Sequence, residues 1–445
     1  MPCSAMITNT DTKLILIAKI AKEKPKEKFT SLMHLLNAEY FLACFKELKK
    51  RKAAGVDGRT MESYTEEEIR GTLEETVNNI KRRRYHPRPV RSVQIPKSNG
   101  EIRILGIPTV IDKVVQLAVT RILETIYETN FLEVSYGYRP GRDAHICLKE
   151  VNHMIMQKKV NWIIDADISG YFDNIDHTWM MRCLEERIKD PNFKGLIMRF
   201  LKAGVMEGNK KQETGKGTPQ GGNLSPILAN IYLHYVLDLW FERQEKVSMK
   251  GYSQMIRYAD DFIIGVQYTE EAKQILKDIT ERLKKFGLTL SLEKTGIKEF
   301  GRFATGNQKK QGRRKPETFD FLGFTHYCST TQDGRFKLGV KTSRKKLNIA
   351  IQSMDRFLKK ERNLKHPKEI WPLLTSKLQG HYNYYGISGN IDEMKRYYGK
   401  TKARIYYWYN RKSQREKWNV EEFKCYLSRY PLPVPKLTYA IYNTW

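Results

Sequence analysis

Apolar positions along this chain follow two rhythms, one of three to four residues and one of two. The first is clear in "KTSRKKLNIAIQSMDRFLKKERN", where Leu347, Ile351, Met354 and Leu358 recur at helical spacing and Arg344, Lys345 and Lys346 open the segment. That pattern predicts a helix with an apolar stripe and a basic face. "TEEEIRGTLEETVNNIKRRRYHP" predicts another: Thr65 can cap it, glutamates fill its first turn, and its far end is basic. A long helix is expected over about residues 109–130. "PKEKFTSLMHLLNAEYFLACFKELKKRKAAGVDGRT" begins as amphipathic helix and ends in a Gly-rich turn.

The second rhythm predicts strands. "VRSVQIPKSNGEIRILGIP" reads as two strands joined by a Ser-Asn-Gly turn, and "GYSQMIRYADDFIIGVQ" as two short strands meeting at adjacent aspartates. "NWIIDADISGYFDNIDH" is a strand, a turn and a helix. "TEEAKQILKDITERLKKFGLTLSLEKTGI" is a helix stopped at Gly287 and followed by a strand, and "TFDFLGFTHY" is another short strand. From about residue 341 three basic helices are expected, punctuated by Pro367 and Gly386; the last stretch, with "YPLPVPKL", reads as irregular. The middle is therefore α+β and the C-terminal quarter helical and basic.

Length and charge narrow the picture. At ~100–200 residues per domain, 445 residues make two to four domains. The formal net charge is +29 and the pI about 9.7, which points to a polyanionic partner, nucleic acid first. The six cysteines are scattered with no C-x-x-C pair, which argues against a zinc site or a disulfide scaffold and suits a reducing cytoplasm. The first apolar run, broken by Lys19 and Lys22, is too short to span a membrane and lacks a signal-peptide layout; it reads as a docking helix before a charged linker.

Against that basic background, Asp260 and Asp261 stand side by side in an apolar run. Adjacent carboxylates repel, and burying them unpaired is costly. A second acidic source is "DADISGYFD", where strand geometry points Asp165 and Asp167 to one face; Asp173 follows, and Asp176 fits the N-cap of the next helix. A lone Asp-Asp pair is usually a turn or a salt-bridge partner. Two acidic segments flanking a Gly-rich one in a basic chain instead fit a metal site, because nucleotidyl transfer uses two divalent ions ~3.5–4 Å apart held by hard oxygen ligands.

These residues resemble the reverse transcriptase family. "YADD" is similar to its third palm motif, "DADISGYFD" to its first, and "TPQGGNLSPILANIYL" to the segment beneath the incoming nucleotide. "FGLTLSLEKTGI" and "FDFLGF" resemble the fourth palm motif and the primer grip. "AAGVDGRT", "RILGIPTVIDKVVQLAV" and "SYGYRPGRDAH" resemble bacterial group II intron-encoded proteins, and the ordered set runs over about residues 53–324.

The resemblance implies a right-hand polymerase: an N-terminal extension over 1–60, fingers and palm over 61–330, a three-helix thumb or maturase domain over 331–413, and a short DNA-binding-like tail over 414–445. It implies Asp167, Asp260 and Asp261 as ligands of two Mg²⁺ ions, with Mn²⁺ able to substitute and the Ile168 carbonyl completing one shell. Phe172 would be the steric gate against a ribose 2′ hydroxyl. Lys97 and Arg103 would meet the triphosphate, as would the Gly170 and Tyr171 amides; Gln220 would pack on the nucleotide, with Gly221 and Gly222 permitting close approach. Lys294 would protonate leaving pyrophosphate, and Phe321, Leu322 and Gly323 would form the primer grip.

The function implied is RNA-directed DNA synthesis from dNTPs by a bacterial, cytoplasmic enzyme without a membrane partner. Its RNA template and DNA primer would be joined by group II intron RNA and target DNA in splicing and retrohoming. No Cys/His cluster or nuclease-like pattern follows the thumb candidate, which resembles the short class lacking an endonuclease. Two other readings stand beside it: a related enzyme recruited to repair or defence, and a splicing cofactor that binds RNA without polymerising.

Overall fold

The computed structural model of the chain describes residues 9–50, 52–96, 102–207, 210–212, 215–218, 221–312, 315–363, 367–411 and 418–442. Helix α1 (Asn9–Glu23) lies against α4 and is followed by an irregular stretch and α2 (Ala38–Glu47). The helix expected upstream of Ala38 is absent. Asp190 explains this: its carboxylate takes the Leu32 and Met33 amides at 2.8 and 3.3 Å, holding residues 29–33 off a helical path, so that Asn37 caps the first full turn. Helix α3 (Glu66–Lys81) begins as expected, with Thr65 and Glu68 forming a capping box.

Strands β1 (Val90–Pro96) and β2 (Ile102–Ile107) form an antiparallel hairpin, and α4 (Val110–Tyr127) follows from the Thr109 cap. Then come α5 (Ala144–Gln157), β3 (Trp162–Asp167), the short α6 (Tyr171–Asn174), α7 (His177–Glu185) capped by Asp176, and α8 (Pro191–Leu201). Strands β4 (Val205–Glu207) and β5 (Lys210–Gln212) extend the first hairpin into a sheet ordered β2-β1-β4-β5. Helix α9 (Ser225–Leu233) continues through two π-helical turns into α10 (Lys246–Ser248).

The central sheet joins β3 to β6 (Ser253–Tyr258), β7 (Asp261–Val266) and, after α11 (Thr269–Lys285), β8 (Gly296–Glu299), in the order β6-β7-β3-β8 with antiparallel neighbours. Gly287 stops α11 at φ 73°, as expected, but the strand starts only at Gly296. The Ser291 amide bonds to the Asp167 carbonyl at 2.8 Å, and the Lys294 and Thr295 amides fold back on the Ser291 carbonyl. Lys294 therefore rides a turn beside β3 rather than a strand.

After α12 (Ala304–Lys310), β9 (Phe319–Phe321), β10 (Phe324–Thr330) and β11 (Phe336–Thr342) make a three-stranded antiparallel sheet. Helices α13 (Arg344–Glu361), α14 (Pro367–Tyr385) and α15 (Ile391–Tyr409) are the expected basic helices. The tail expected to be irregular contains α16 (Val420–Arg429), which an Asn419–Glu422 capping box starts and whose Phe423 packs into the core of the C-terminal helices.

Three cores organise these elements. One face of the central sheet, with Ile164, Ala166, Phe262 and Ile264, packs on α2–α4, α7–α9 and α11. The opposite face, with Ile163, Ile256 and Ile263, packs on α5 and the three-stranded sheet. The third core lies among α13–α16. No helix among the described residues is long and apolar enough to cross a membrane.

Candidate active site

The acidic residues meet where β3 and β7 end. Asp167 pairs directly with Asp261, so both side chains leave the same face of the sheet, and Asp165 lies two residues back on that face. Tyr258 pairs with Asp261 across the β6–β7 hairpin, leaving Ala259 and Asp260 as its two-residue loop. Neighbouring residues of an extended strand face opposite ways; the loop is what brings Asp260 round. Ala259 takes φ 59°, a left-handed conformation that favours glycine.

Burial, then the negative charges of Asp165, Asp167 and Asp260, push the Asp261 carboxyl up to about 8 against the pull of Lys294. Burial also raises Asp165, although Lys298 Nζ sits 2.7 Å from its Oδ2. Lys294 Nζ lies 2.6 Å from Asp167 Oδ2, and that bond raises the lysine above its ordinary value. Among the described residues no three His, Cys, Asp or Glu side chains form a ready metal cage. The donors themselves suit a divalent cation: they are hard oxygens, they repel one another, and burial with that repulsion raises the carboxyl of Asp261.

Beneath the loop lies a buried arginine. Arg257 is 0% exposed and gives Nε and Nη2 to Asp238 at 2.7 and 2.5 Å. Its Nη1 donates to the Ala259 carbonyl at 2.9 Å and to Asn230 Oδ1 at 3.1 Å, and Nη2 also reaches Ser135 Oγ at 2.8 Å. Asn230 in turn donates to the Gly137 carbonyl at 2.7 Å, and a Cβ on Gly137 would stand 2.5 Å from the Ala259 nitrogen. Sequence reading passed over Arg257, Asp238, Asn230, Ser135 and Gly137. The available signal was an arginine inside the same apolar run as the aspartates, as demanding of a partner as they are.

Gly170, exposed and left-handed at φ 55°, turns the chain from Asp167 into α6. Ile168 is buried and pairs with Leu290. The Tyr171 side chain points into the core and donates to the Ala229 carbonyl at 2.6 Å. Phe172 is half-buried with its ring edge-on to Tyr171, and its carbonyl takes the Thr218 amide at 2.7 Å. Gly221 lies against β2, where a Cβ would meet the Gly106 carbonyl at 2.6 Å, and Gly222 and Asn223 lie on α4, where a Cβ on Gly222 would meet Gln116 at 2.7 Å and Gln116 Oε1 takes the Asn223 amide at 2.9 Å. Gln116 is a further residue that sequence reading missed.

Lys97 and Gln220 lie outside the described residues. The backbone of Arg103 pairs with Ile95 in the β1–β2 hairpin, and its side chain lies outside the description. Phe321 is buried in the second core, while Leu322 and Gly323 form the loop between β9 and β10, and Asp320 on β9 adds to the charge raising Asp165. The structure thus gathers Asp167, Asp260, Asp261 and Lys294 at one point, with Phe172 beyond the turn that follows β3.

Comparison with known proteins places the chain in a family. Residues 95–326 match the family model described as reverse transcriptase (RNA-dependent DNA polymerase). The group II intron-encoded protein LtrA of Lactococcus lactis subsp. cremoris is 33% identical over a span covering 85% of this chain and 74% of that protein. Protein YkfC of Escherichia coli is 33% identical over 48% of this chain and 64% of its own length. A putative COX1/OXI3 intron 2 protein of Saccharomyces cerevisiae is 30% identical over 47% and 30%.

Proposed function

This chain belongs to the reverse transcriptase family, in its group II intron-encoded branch, and is an RNA-directed DNA polymerase; we propose that the carboxylates at the ends of β3 and β7 are its catalytic centre. The observation that carries this reading is the Asp167–Asp261 pairing with Asp260 on the adjoining loop, which gathers negative charge at one point of a chain with a net charge of +29.

Asp167, Asp260 and Asp261, with the Ile168 carbonyl, would hold two divalent ions, Mg²⁺ or in its place Mn²⁺. Bound there, such ions supply positive charge to the primer 3′ hydroxyl and to the triphosphate. The chain's own residues do the rest. Asp261, whose carboxyl is raised by burial and by its acidic neighbours, would have to be ionised to serve as a ligand. Lys294, paired with Asp167, carries a proton within reach of that carboxylate and would deliver it to leaving pyrophosphate. Phe172 would close the sugar side of the pocket against a 2′ hydroxyl. Lys97, Arg103, Gln220 and the Gly170 and Tyr171 amides would orient the nucleotide, with Gln116 supporting the Gly-rich loop. Leu322 and Gly323 would hold the primer end.

The β1–β2 sheet and α1–α4 would form fingers and an N-terminal extension, the central sheet a palm, and α13–α15 a thumb. α1 shares the first core with α4, so the extension is built into the body of the enzyme. Template RNA, primer and intron RNA would be bound through phosphates by the basic surface. Tyr407, with Arg411 4.4 Å and Arg404 5.8 Å from its ring, offers an aromatic–cation surface on α15 for that purpose. Binding of intron RNA would serve splicing.

The test is extension of a DNA primer on a defined RNA template with Mg²⁺ and dNTPs. Wild type should make full-length cDNA and Asp260→Ala none, a loss on the order of a thousandfold or more, with RNA binding retained. Comparable synthesis by the variant would remove Asp260 from the centre.

A further inference from the structure

The loop assigned to the primer end is held in place from the C-terminal helices. Phe321 and Phe324 pair across β9 and β10, so Leu322 and Gly323 form a two-residue hairpin loop. Both are left-handed, at φ 51° and 81°. That geometry suits Asn-Gly; leucine in the first position is strained. The loop therefore does not hold its own shape.

Its carbonyls are fixed from outside. Tyr384, near the end of α14, donates its hydroxyl to the Leu322 carbonyl at 2.8 Å. The Ser343 amide, at the start of α13, donates to the Gly323 carbonyl at 3.0 Å. The Tyr384 ring also stacks on Phe324 at 5.8 Å. Tyr384 is itself anchored on the far side: its carbonyl accepts from His145 Nε2 on α5 at 2.8 Å, and His145 stacks on Tyr439 at 3.8 Å. Tyr439 pairs with Ile387 just past α14, and Ile441 inserts into the second core. The segment around residues 438–442 thus straps the end of α14 to α5 and the three-stranded sheet.

We propose that Tyr384 is a positioning residue for DNA synthesis: its hydroxyl holds the Leu322 carbonyl so that the strained loop presents the primer terminus to the aspartates, and the His145–Tyr439 stack holds Tyr384 in register. The inference rests on the reading of Leu322 and Gly323 as the primer grip.

Tyr384→Phe removes only the hydroxyl and keeps the ring. The rate of single-nucleotide addition at saturating dNTP should fall about tenfold, the loss expected when one well-placed hydrogen bond is missing. Primer–template affinity should stay within about twofold and the melting temperature should not move. Leu322→Asn supplies the residue that the loop geometry prefers, so Tyr384→Phe should cost much less in that background than in the wild-type one. An unchanged rate for Tyr384→Phe, or an equal loss in both backgrounds, overturns the proposal. Gly323→Ala separates the inference from the reading beneath it, because a Cβ at φ 81° must distort the loop. If that variant slows synthesis and Tyr384→Phe does not, only the role of Tyr384 falls. If it extends primers like wild type, the loop is not at the primer and both fall.

Discussion

Two hairpin loops stand around the candidate centre, and they are secured in opposite ways. The β6–β7 loop carries Asp260 and places Ala259 at φ 59°; the β9–β10 loop places Leu322 at φ 51°. Each keeps a residue with a side chain where glycine would be easier. The first is fastened from directly beneath, by a buried arginine salt-bridged to Asp238 and bonded to the Ala259 carbonyl. The second is fastened by a hydroxyl from the end of α14, a helix that lies mostly in the third core while Tyr384 itself packs on the second. The proposed metal ligands would need fixed geometry, and a buried ionic clamp suits that. The second, read as the loop that would hold the primer end, is tied instead through Tyr384 to α5 and to the segment around Tyr439.

The comparison breaks most severely at Arg257. Arg257→Met leaves Asp238 buried without its partner, and removing one member of a buried pair destabilises by about 3–5 kcal/mol. Thermal unfolding should show a large drop, whereas Tyr384→Phe should show none. Equal melting temperatures for Arg257→Met and wild type would mean that the clamp does not hold the β6–β7 loop.

Gly137→Ala is a gentler intrusion. Its Cβ would press on the Ala259 nitrogen, which is backbone and cannot swing aside. Overpacking of this kind costs about 1–3 kcal/mol. Nucleotide addition should slow with little change in RNA affinity, and a variant with wild-type kinetics would show that the loop tolerates displacement.

The last comparison sharpens the electrostatic side. Asp261, at about 8 in the fold, holds a proton that its unfolded carboxyl releases near 3.8. Without metal the folded state therefore binds more protons between those values, and stability falls as pH rises from about 4 to about 8. Added Mg²⁺ should raise the melting temperature more at pH 8 than at pH 6, because the metal must displace that proton. Asp261→Asn should flatten both dependences. A pH-independent Mg²⁺ response in wild type would count against Asp261 as a ligand.

Much of this was legible in the chain. The Thr65 and Asp176 caps, the strands at "NWIIDAD" and "IRYADDFIIGV", and the acidic residues themselves follow from local rules of periodicity, capping and charge. The helix expected ahead of Ala38, the strand expected to carry Lys294 and the irregular tail over α16 were misread. In the first two cases a distant residue overrode local preference: Asp190 captured the Leu32 and Met33 amides, and Asp167 captured the Ser291 amide. The third was written in a capping box that sat after proline-poor but unpatterned sequence.

What the sequence determined by itself is the chemistry: which side chains can hold metal, where the strongly periodic and capped segments lie, and that the charge favours a polyanionic partner. Those depend on residue type and on spacing along a few turns or strands. Only the tertiary structure decided that Asp167 faces Asp261, that Arg257 lies under Ala259, and that Tyr384 reaches Leu322 from 62 positions away. Such pairings join segments that no local rule connects. They exist because burying three apolar cores fixes the sheets and helices in one arrangement, and the polar groups carried inside must then find their partners there.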